Sequence, residues 1–358
     1  MQLPNHGANP RYLYDSMNLC MPDNIFDFSA NINPLGPPSR LLEMWKDSFQ
    51  LVMHYPDTYA KTLIQAISRA EGLPHECIIA GNGAAELITL VARLLAGKKV
   101  VIIAPCFSEY EQACKASGCD ISIYTLEERL WKLDPASMIP VIEQADAIFI
   151  CTPNNPTGLS FEQDAMEHLI KICHTSNCLL VVDEAFYDFA SDCITYASYI
   201  KEYENLIILR SLTKMYAIPG LRLGFLLAAP EMVVSIRAIQ PHWSVNNLAL
   251  LAGEICLADE EHTVHTRSYI AGERARLFAF FKALGLEVSP STVNFYLLKA
   301  AEPDGSIQVL SFLLKRGIVP RHTFNFHGLD GRWLRFAIKE QRENDRLMEV
   351  LNHWWNLR

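Results

Sequence analysis

The sequence predicts an α/β protein: a large domain built on a doubly wound, largely parallel sheet, followed by a smaller α+β domain. Three observations predict it. Short β-branched runs alternate with longer segments of helical period through the first two thirds of the chain, the rhythm of repeated strand–helix–strand units. Near Pro241 that rhythm gives way to long helical segments. At 358 residues, half of them hydrophobic, the chain can bury a core large enough for two domains.

The elements follow in order. CIIA is a strand, AELITLVARLLAG a helix, KVVIIAP a strand and FSEYEQACKASG a helix. DISIYT, DAIFICT and CLLVVDE are further strands, separated by the helical segments PASMIPVIEQ and QDAMEHLIKICHTS. Strands this uniformly apolar are those of a sheet covered on both faces. NLIILRS and RLGFLLAA add two more runs before helices take over, ending in RSYIAGERARLFAFFKALG. After Gly285 come strand candidates LEVS and NFYLLKA, a helix around IQVLSFLLKRG and a last helix in ENDRLMEVLNHWWNL. The expected division is an N-terminal arm over 1–38, a large domain over 39–245 and a small domain over 246–358. Within the arm, DFSANINPLGPP is too rich in Asn, Pro and Gly for a regular element. It reads as a disordered leader or a strap laid over a site, and the character of functional loops favours the strap.

Composition excludes several classes of function. A formal charge of −9, from 31 Lys and Arg against 40 Asp and Glu, argues against nucleic acid or an anionic membrane surface as partner. No run is long and apolar enough to span a bilayer, and the amino terminus lacks a basic region leading into an apolar one, so a cytoplasmic protein is expected. Ten cysteines lie scattered, never as a CxxC pair, which fits reduced, mostly buried thiols better than a disulfide framework. His262 and His265 share a helical face but have no evident third ligand, so no metal site is expected.

Several motifs carry chemistry at strand ends. Gly81-Asn82-Gly83 stands between a strand and a helix, where free N–H groups and the helix dipole favour a phosphate, although an ordinary turn has the same composition. CTPNNPTG places Asn154, Asn155 and Gly158 past a strand's carboxyl end, where open α/β sheets present ligands, and the same residues equally make a turn. VVDEAF ends a buried strand in Asp183 and Glu184, carboxylates that need a partner or solvent. SLTKMYAIPGLRLGF supplies the hydroxyls of Ser211 and Thr213, the amine of Lys214 and the guanidinium of Arg222. Together these make a phosphate cradle, an amide, a carboxylate, an amine and a bidentate phosphate clamp.

This ordered set resembles the class I and II aminotransferases, the fold-type-I pyridoxal-phosphate enzymes with the aspartate-aminotransferase fold, across essentially the whole chain. The resemblance implies pyridoxal 5'-phosphate as cofactor, carried as a Schiff base on Lys214. It implies that Ser211, Thr213 and Arg222 hold the phosphate with the backbone of the glycine loop at Gly83, Ala84 and Ala85. Asp183 would pair with the pyridinium nitrogen, Asn155 would bond the ring hydroxyl and Phe107 of APCFSEY would stack on the ring. Tyr55 of HYPD would reach the phosphate of the neighbouring subunit, which implies a homodimer with shared active sites. Lys214 must be partly neutral to exchange imines, and burial near Arg222 favours that. One position departs from the pattern: where many members have tyrosine after Asp-x-Ala, this chain has Phe186, and Tyr187 in an extended segment would face the opposite way.

Within the family, HGAN, DFSANINPLG, DEAFYDF and SLTKMYAIPGLRLGF are similar to the threonine-phosphate decarboxylases of cobalamin biosynthesis, with Ala8 departing from H-G-G-N. Histidinol-phosphate aminotransferases are the alternative branch, and a non-catalytic descendant is disfavoured by the intact lysine, aspartate, asparagine and arginine. The run RHTFNFHGLDGRWLR brings Arg321, His322, His327, Arg332 and Arg335 against one acid, Asp330, in an acidic chain. That suits a small dianionic phosphorylated amino acid. The resemblance implies that Arg335 holds its carboxylate and Arg321 its phosphate, with His6 and Asn31 completing the pocket. Arg332 is expected to be solvated.

Overall fold

The computed structural model describes residues 3–190, 194–299 and 303–356. Its twelve described strands are β1 (Phe26–Asp27), β2 (Ile78–Gly81), β3 (Lys99–Ala104), β4 (Asp120–Thr125), β5 (Ala147–Cys151), β6 (Leu179–Asp183), β7 (Leu206–Ser211), β8 (Gly224–Ala228), β9 (Phe295–Lys299), β10 (Ile318–Val319), β11 (Arg321–His322) and β12 (Trp333–Ala337). Seven of them form the main sheet in the order β2-β8-β7-β6-β5-β3-β4. The five from β4 to β7 pair in parallel, and β8 runs antiparallel to both β7 and β2.

Consecutive residues of the central strands alternate between two apolar layers. Val101, Ile103, Ile148, Ile150, Leu180, Val182 and Ile208 enter one core, while Val100, Ile102, Phe149, Val181, Ile207 and Leu209 enter the other. Helices cover both faces, so a strand offers no polar side to solvent and its sequence reads as an unbroken apolar run. The parallel strands end together at Ala104, Cys151, Asp183 and Ser211, one rim onto which loops and helix N-termini project.

Near the carboxyl terminus, β9, β12 and β11 make an antiparallel sheet in which Arg321 lies opposite Arg335. The amino-terminal segment joins it: β1 pairs in parallel with β10, Phe26 opposite Ile318, and Ala337 N–H donates to the Phe28 carbonyl at 2.9 Å. Residues 26–29 are thereby fixed against the last third of the chain.

Three elements differ from expectation. LEVS contributes only a bridge, Val288 to Leu298, because the chain leaves the sheet immediately after it. β11 and β12 were hidden in a charge-rich run, since the arginines that break its apolar pattern point into a cleft instead of solvent. A short helix, Pro10–Ser16, occupies the amino-terminal segment. Proline opens it at a position that needs no N–H donor, Leu13 and Tyr14 are buried, and Tyr14 Oη donates to the Leu314 carbonyl at 2.7 Å. Among the described residues no helix is long and apolar enough to cross a membrane.

Candidate active site

The rim formed by β5, β6 and β7 opens into a cleft of about 340 Å³. It is lined from the large sheet by Ala84, Ala85, Phe107, Asn155, Asp183, Ser211, Thr213, Lys214 and Arg222, and from the small sheet by Arg321 and Arg335. The amino-terminal segment adds His6, Ser29 and Asn31. Residues from widely separated stretches of the chain thus converge at a strand-end crevice, the place where open α/β sheets bind ligands.

One end of the cleft gathers donors of the kind that suit an anion. Gly83 opens the helix Gly83–Leu94 with φ +74°, and a Cβ on it would stand 2.5 Å from Arg222 Nη2. Only glycine lets the guanidinium lie across the helix start, where the Ala84 and Ala85 N–H groups have no intrahelical partners. The close approach continues at Gly224, whose Cβ would meet the Ala84 nitrogen at 2.8 Å. Ser211 Oγ and Thr213 Oγ1 sit 2.9 Å apart beside this end, both buried.

At the floor, Asp183 closes β6 fully buried, with two donors: Tyr110 Oη at 2.5 Å to Oδ2 and Ala185 N–H at 2.9 Å to Oδ1. Burial raises its pKa, while those two bonds and nearby Lys214 oppose the rise. Lys214 lies in the one-turn helix Leu212–Met215, its ammonium pushed down to about 8 by burial first and then by Arg222 and Arg335. Its carbonyl accepts from Asn33 N–H at 3.0 Å, and Asn33 Nδ2 donates to the Met215 carbonyl and to Thr266 Oγ1, both at 2.8 Å. The 28–36 loop is therefore stitched to the lysine helix as a strap. His262 belongs to this same stitching, 3.2 Å from Asn33 Nδ2 and stacked on Tyr216.

The opposite wall carries two buried guanidiniums without a carboxylate in ion-pair contact among the described residues. Arg335 Nη1 donates to Asn155 Oδ1 at 2.5 Å and Nη2 to the Ser29 carbonyl at 2.8 Å, while Nε has no partner among the described residues. Burial, with Arg321 as neighbour, pushes its pKa down to about 9, and burial pushes Arg321 down to about 10. Arg321 Nη2 donates to the Asn5 carbonyl at 2.5 Å and to Asn325 Oδ1 at 2.6 Å, and its Nη1 lies 2.8 Å from His322 Nε2. Burial and that arginine drive His322 down to about 3, while its Nε2 also lies 2.8 Å from the Pro4 carbonyl. The wall is a cationic surface of two buried guanidiniums.

Other residues of the basic run do not join the cleft. His327 pairs with Glu111 at 2.9 Å, and Arg332 pairs with Glu128 through Nε at 2.9 Å and Nη2 at 2.8 Å instead of being solvated. Sequence reading found no partner for Arg332 because Glu128 is two hundred positions away in the chain. His6 sits 3.0 Å from Glu109 and edge-on to Phe107, with ring centroids 6.2 Å apart. Tyr55 is 81% exposed, packed on Trp243 at 4.9 Å, and lies outside this chain's cleft. Phe186 lines the cleft and meets Phe295 edge-on, centroids 4.7 Å apart. Tyr187 opens a 3-10 turn instead of continuing a strand, and its ring lies under Arg210, 4.0 Å from the guanidinium carbon. Glu184, next to Asp183, faces away and pairs with Arg210 at 3.1 Å. Tyr110, in the first turn of the helix Glu109–Ala116, carries no signal in the sequence that sets it apart from a core tyrosine.

The sequence pattern described as aminotransferase class I and II matches residues 23–351. The threonine-phosphate decarboxylase of Salmonella typhimurium is 38% identical over 97% of this chain and 96% of its own length. The crystal structure of the histidinol-phosphate aminotransferase from Clostridium acetobutylicum superposes with a TM-score of 0.87 at 31% identity, covering 92% of this chain and 99% of that one. A histidinol-phosphate aminotransferase from Sinorhizobium meliloti, solved in complex with pyridoxal-5'-phosphate, has the same fold, with a TM-score of 0.87 at 21% identity over 98% of this chain and 95% of that one.

Proposed function

The chain belongs to the aminotransferase class I and II family, and on that premise we propose that it is a pyridoxal 5'-phosphate-dependent lyase. It decarboxylates L-threonine O-3-phosphate to (R)-1-amino-2-propanol O-2-phosphate, a step of cobalamin biosynthesis. The observation that carries the reading is the pair of opposed, buried guanidiniums, Arg321 and Arg335, in the same cleft as a lysine whose ammonium burial pushes down to about 8. A substrate with a carboxylate and a phosphate neutralises both. The choice of decarboxylation over transamination is supported by the 38% identity to a threonine-phosphate decarboxylase across nearly the whole chain.

The residues present fit the cofactor. The cradle at Gly83, Ala84 and Ala85, closed by Arg222 and the hydroxyls of Ser211 and Thr213, takes its phosphate, and a Cβ at Gly83 would fill the space that Arg222 needs. Asp183 would hold the ring nitrogen, Asn155 the ring hydroxyl and Phe107 the ring face, and Lys214 would hold the cofactor covalently through Nζ. When bound, the cofactor supplies an electron sink for the pair left at the substrate's Cα.

The chain's residues do the rest. Asp183 holds a proton at the ring nitrogen, because a buried carboxylate is best satisfied by a cation. Arg335 takes the substrate carboxylate bidentately with Asn155 and Arg321 takes the phosphate, with His6 and Asn31 completing the enclosure. Lys214 Nζ, when not bonded to the cofactor, would hold a proton within reach of the substrate's Cα. The protein is a cytoplasmic homodimer in which the exposed Tyr55 serves the partner's phosphate site. Free thiols throughout the described residues support a reducing compartment.

Incubating the loaded protein with L-threonine O-3-phosphate and no 2-oxo acid should give sustained release of carbon dioxide. A second reading, histidinol-phosphate aminotransferase, is favoured by the 31% identity to the Clostridium acetobutylicum enzyme. It requires sustained turnover of histidinol phosphate with 2-oxoglutarate, and that result without carbon dioxide from threonine phosphate would replace the decarboxylase reading.

A further inference from the structure

Tyr110 is fully buried, its hydroxyl donating to Asp183 Oδ2 at 2.5 Å. The phenol is held from both sides: its ring stacks on Phe149 with centroids 5.5 Å apart and meets Phe107 edge-on at 6.0 Å. The second carboxylate oxygen is held by Ala185 N–H at 2.9 Å, so the plane of the carboxylate is fixed by two donors before any ligand arrives. The remaining neighbours of Asp183 carry no competing negative charge: Cys151 and Cys106 are buried thiols whose pKa values burial drives well up, and Lys214 is the nearest titratable cation.

We propose that Tyr110 is a positioning residue for the reaction, which keeps the Asp183 carboxylate the weaker base of its pair with the cofactor's ring nitrogen. The assignment rests on the pyridoxal-phosphate reading above. A carboxylate that already accepts two hydrogen bonds has part of its charge drawn toward those donors, so a proton shared with a ring nitrogen stays on nitrogen. Without Tyr110, Oδ2 is buried with no donor but that proton, and the proton moves toward oxygen. The ring then loses the positive charge that makes it an electron sink. Phenylalanine cannot replace the donor, yet it keeps the stack with Phe149 and the edge contact with Phe107.

The experiment uses the full-length chain loaded with cofactor carrying 15N at the ring nitrogen. Wild type is examined first: borohydride must fix the cofactor to it and the 15N resonance must fall at the protonated position. A wild-type chain that takes up no cofactor overturns the underlying reading and this assignment with it. If the wild type passes, Tyr110→Phe should shift the resonance toward the neutral-ring position and lower kcat on the order of 10- to 100-fold with KM little changed. In an Asp183→Asn background, Tyr110→Phe should lower kcat no further, because the tyrosine acts only through the carboxylate. A 15N resonance identical in Tyr110→Phe and wild type, or an equal loss from Tyr110→Phe whether or not Asp183→Asn is also present, overturns the assignment. Should Tyr110→Phe fail to fold, Tyr110→3-fluorotyrosine introduced at that position, which strengthens the donor and keeps the shape, must shift the resonance toward the protonated limit or raise no neutral fraction; a neutral-ward shift overturns the assignment.

Discussion

Replacing Arg321 with alanine separates recognition of the phosphate from everything else the cleft does. The guanidinium is buried, has no carboxylate partner among the described residues, and faces the cleft from the strand position opposite Arg335. A charge-assisted hydrogen bond is worth about 1.5–3 kcal/mol, and a forked pair in a desolvated pocket stands at the upper end of that range or slightly above it. Loss of about 2–4 kcal/mol corresponds to a fall of roughly 30- to 1000-fold in kcat/KM for L-threonine O-3-phosphate. L-Threonine never makes the contact, so its already poor rate should change little. Stability should move far less. The variant loses the bonds to the Asn5 carbonyl and Asn325 Oδ1, but it also removes a buried cation that depresses Arg335. Those effects oppose each other, and replacing a buried charge by an apolar group is often neutral. The assay is carbon dioxide release with the two substrates in parallel, with thermal melting as the control. Equal losses for the phosphorylated and plain amino acids would refute the placement of the phosphate at Arg321.

Three further outcomes are expected. Because burial lowers the Lys214 pKa to about 8 in the folded, cofactor-free chain against an ordinary value of 10.5, the unfolded chain binds the extra proton between those limits. Stability of the cofactor-free protein should therefore gain a contribution as pH rises from about 8 to about 10.5 that Lys214→Met lacks, read by denaturant titration of the two proteins side by side. Gly83→Ala forces a Cβ into the Arg222 guanidinium at a left-handed φ of +74°, and should weaken cofactor binding on the order of tenfold or more by equilibrium dialysis. Mixing inactive Tyr55→Ala with inactive Lys214→Ala chains should restore activity in mixed dimers, whereas an active monomer in a sedimentation experiment would exclude the shared site.

The central strands were legible because a sheet buried on both faces demands apolar residues at every position, and no tertiary partner can alter that pattern. The basic run from Arg321 to Arg335 was legible as chemistry and illegible as structure for the same reason. β11 and β12 turn arginines into a cleft, and a strand that serves a site gives up the alternation by which strands are recognised. The helix Pro10–Ser16 was masked by neighbours that favour turns, and its stability comes from Tyr14 reaching Leu314, a contact three hundred residues away in the chain.

The cleft shows the same division one level further down. Lys214, Asp183 and Arg222 are each commonplace taken singly, and they became legible only because their motifs, in order along the chain, close one set of complementary groups. Tyr110 did not, because a tyrosine on the apolar face of a helix is ordinary core until its hydroxyl is seen to meet a carboxylate 73 residues away at 2.5 Å. The cationic wall was foreseen in charge but not in balance. In sequence, Arg332 and His327 look equivalent to Arg321 and Arg335, yet Glu128 and Glu111 pair with the first two and no described carboxylate pairs with the second two. What sets Arg321 and Arg335 apart from Arg332 is thus the lack of a described carboxylate partner, and long-range folding alone decides which arginines lack one.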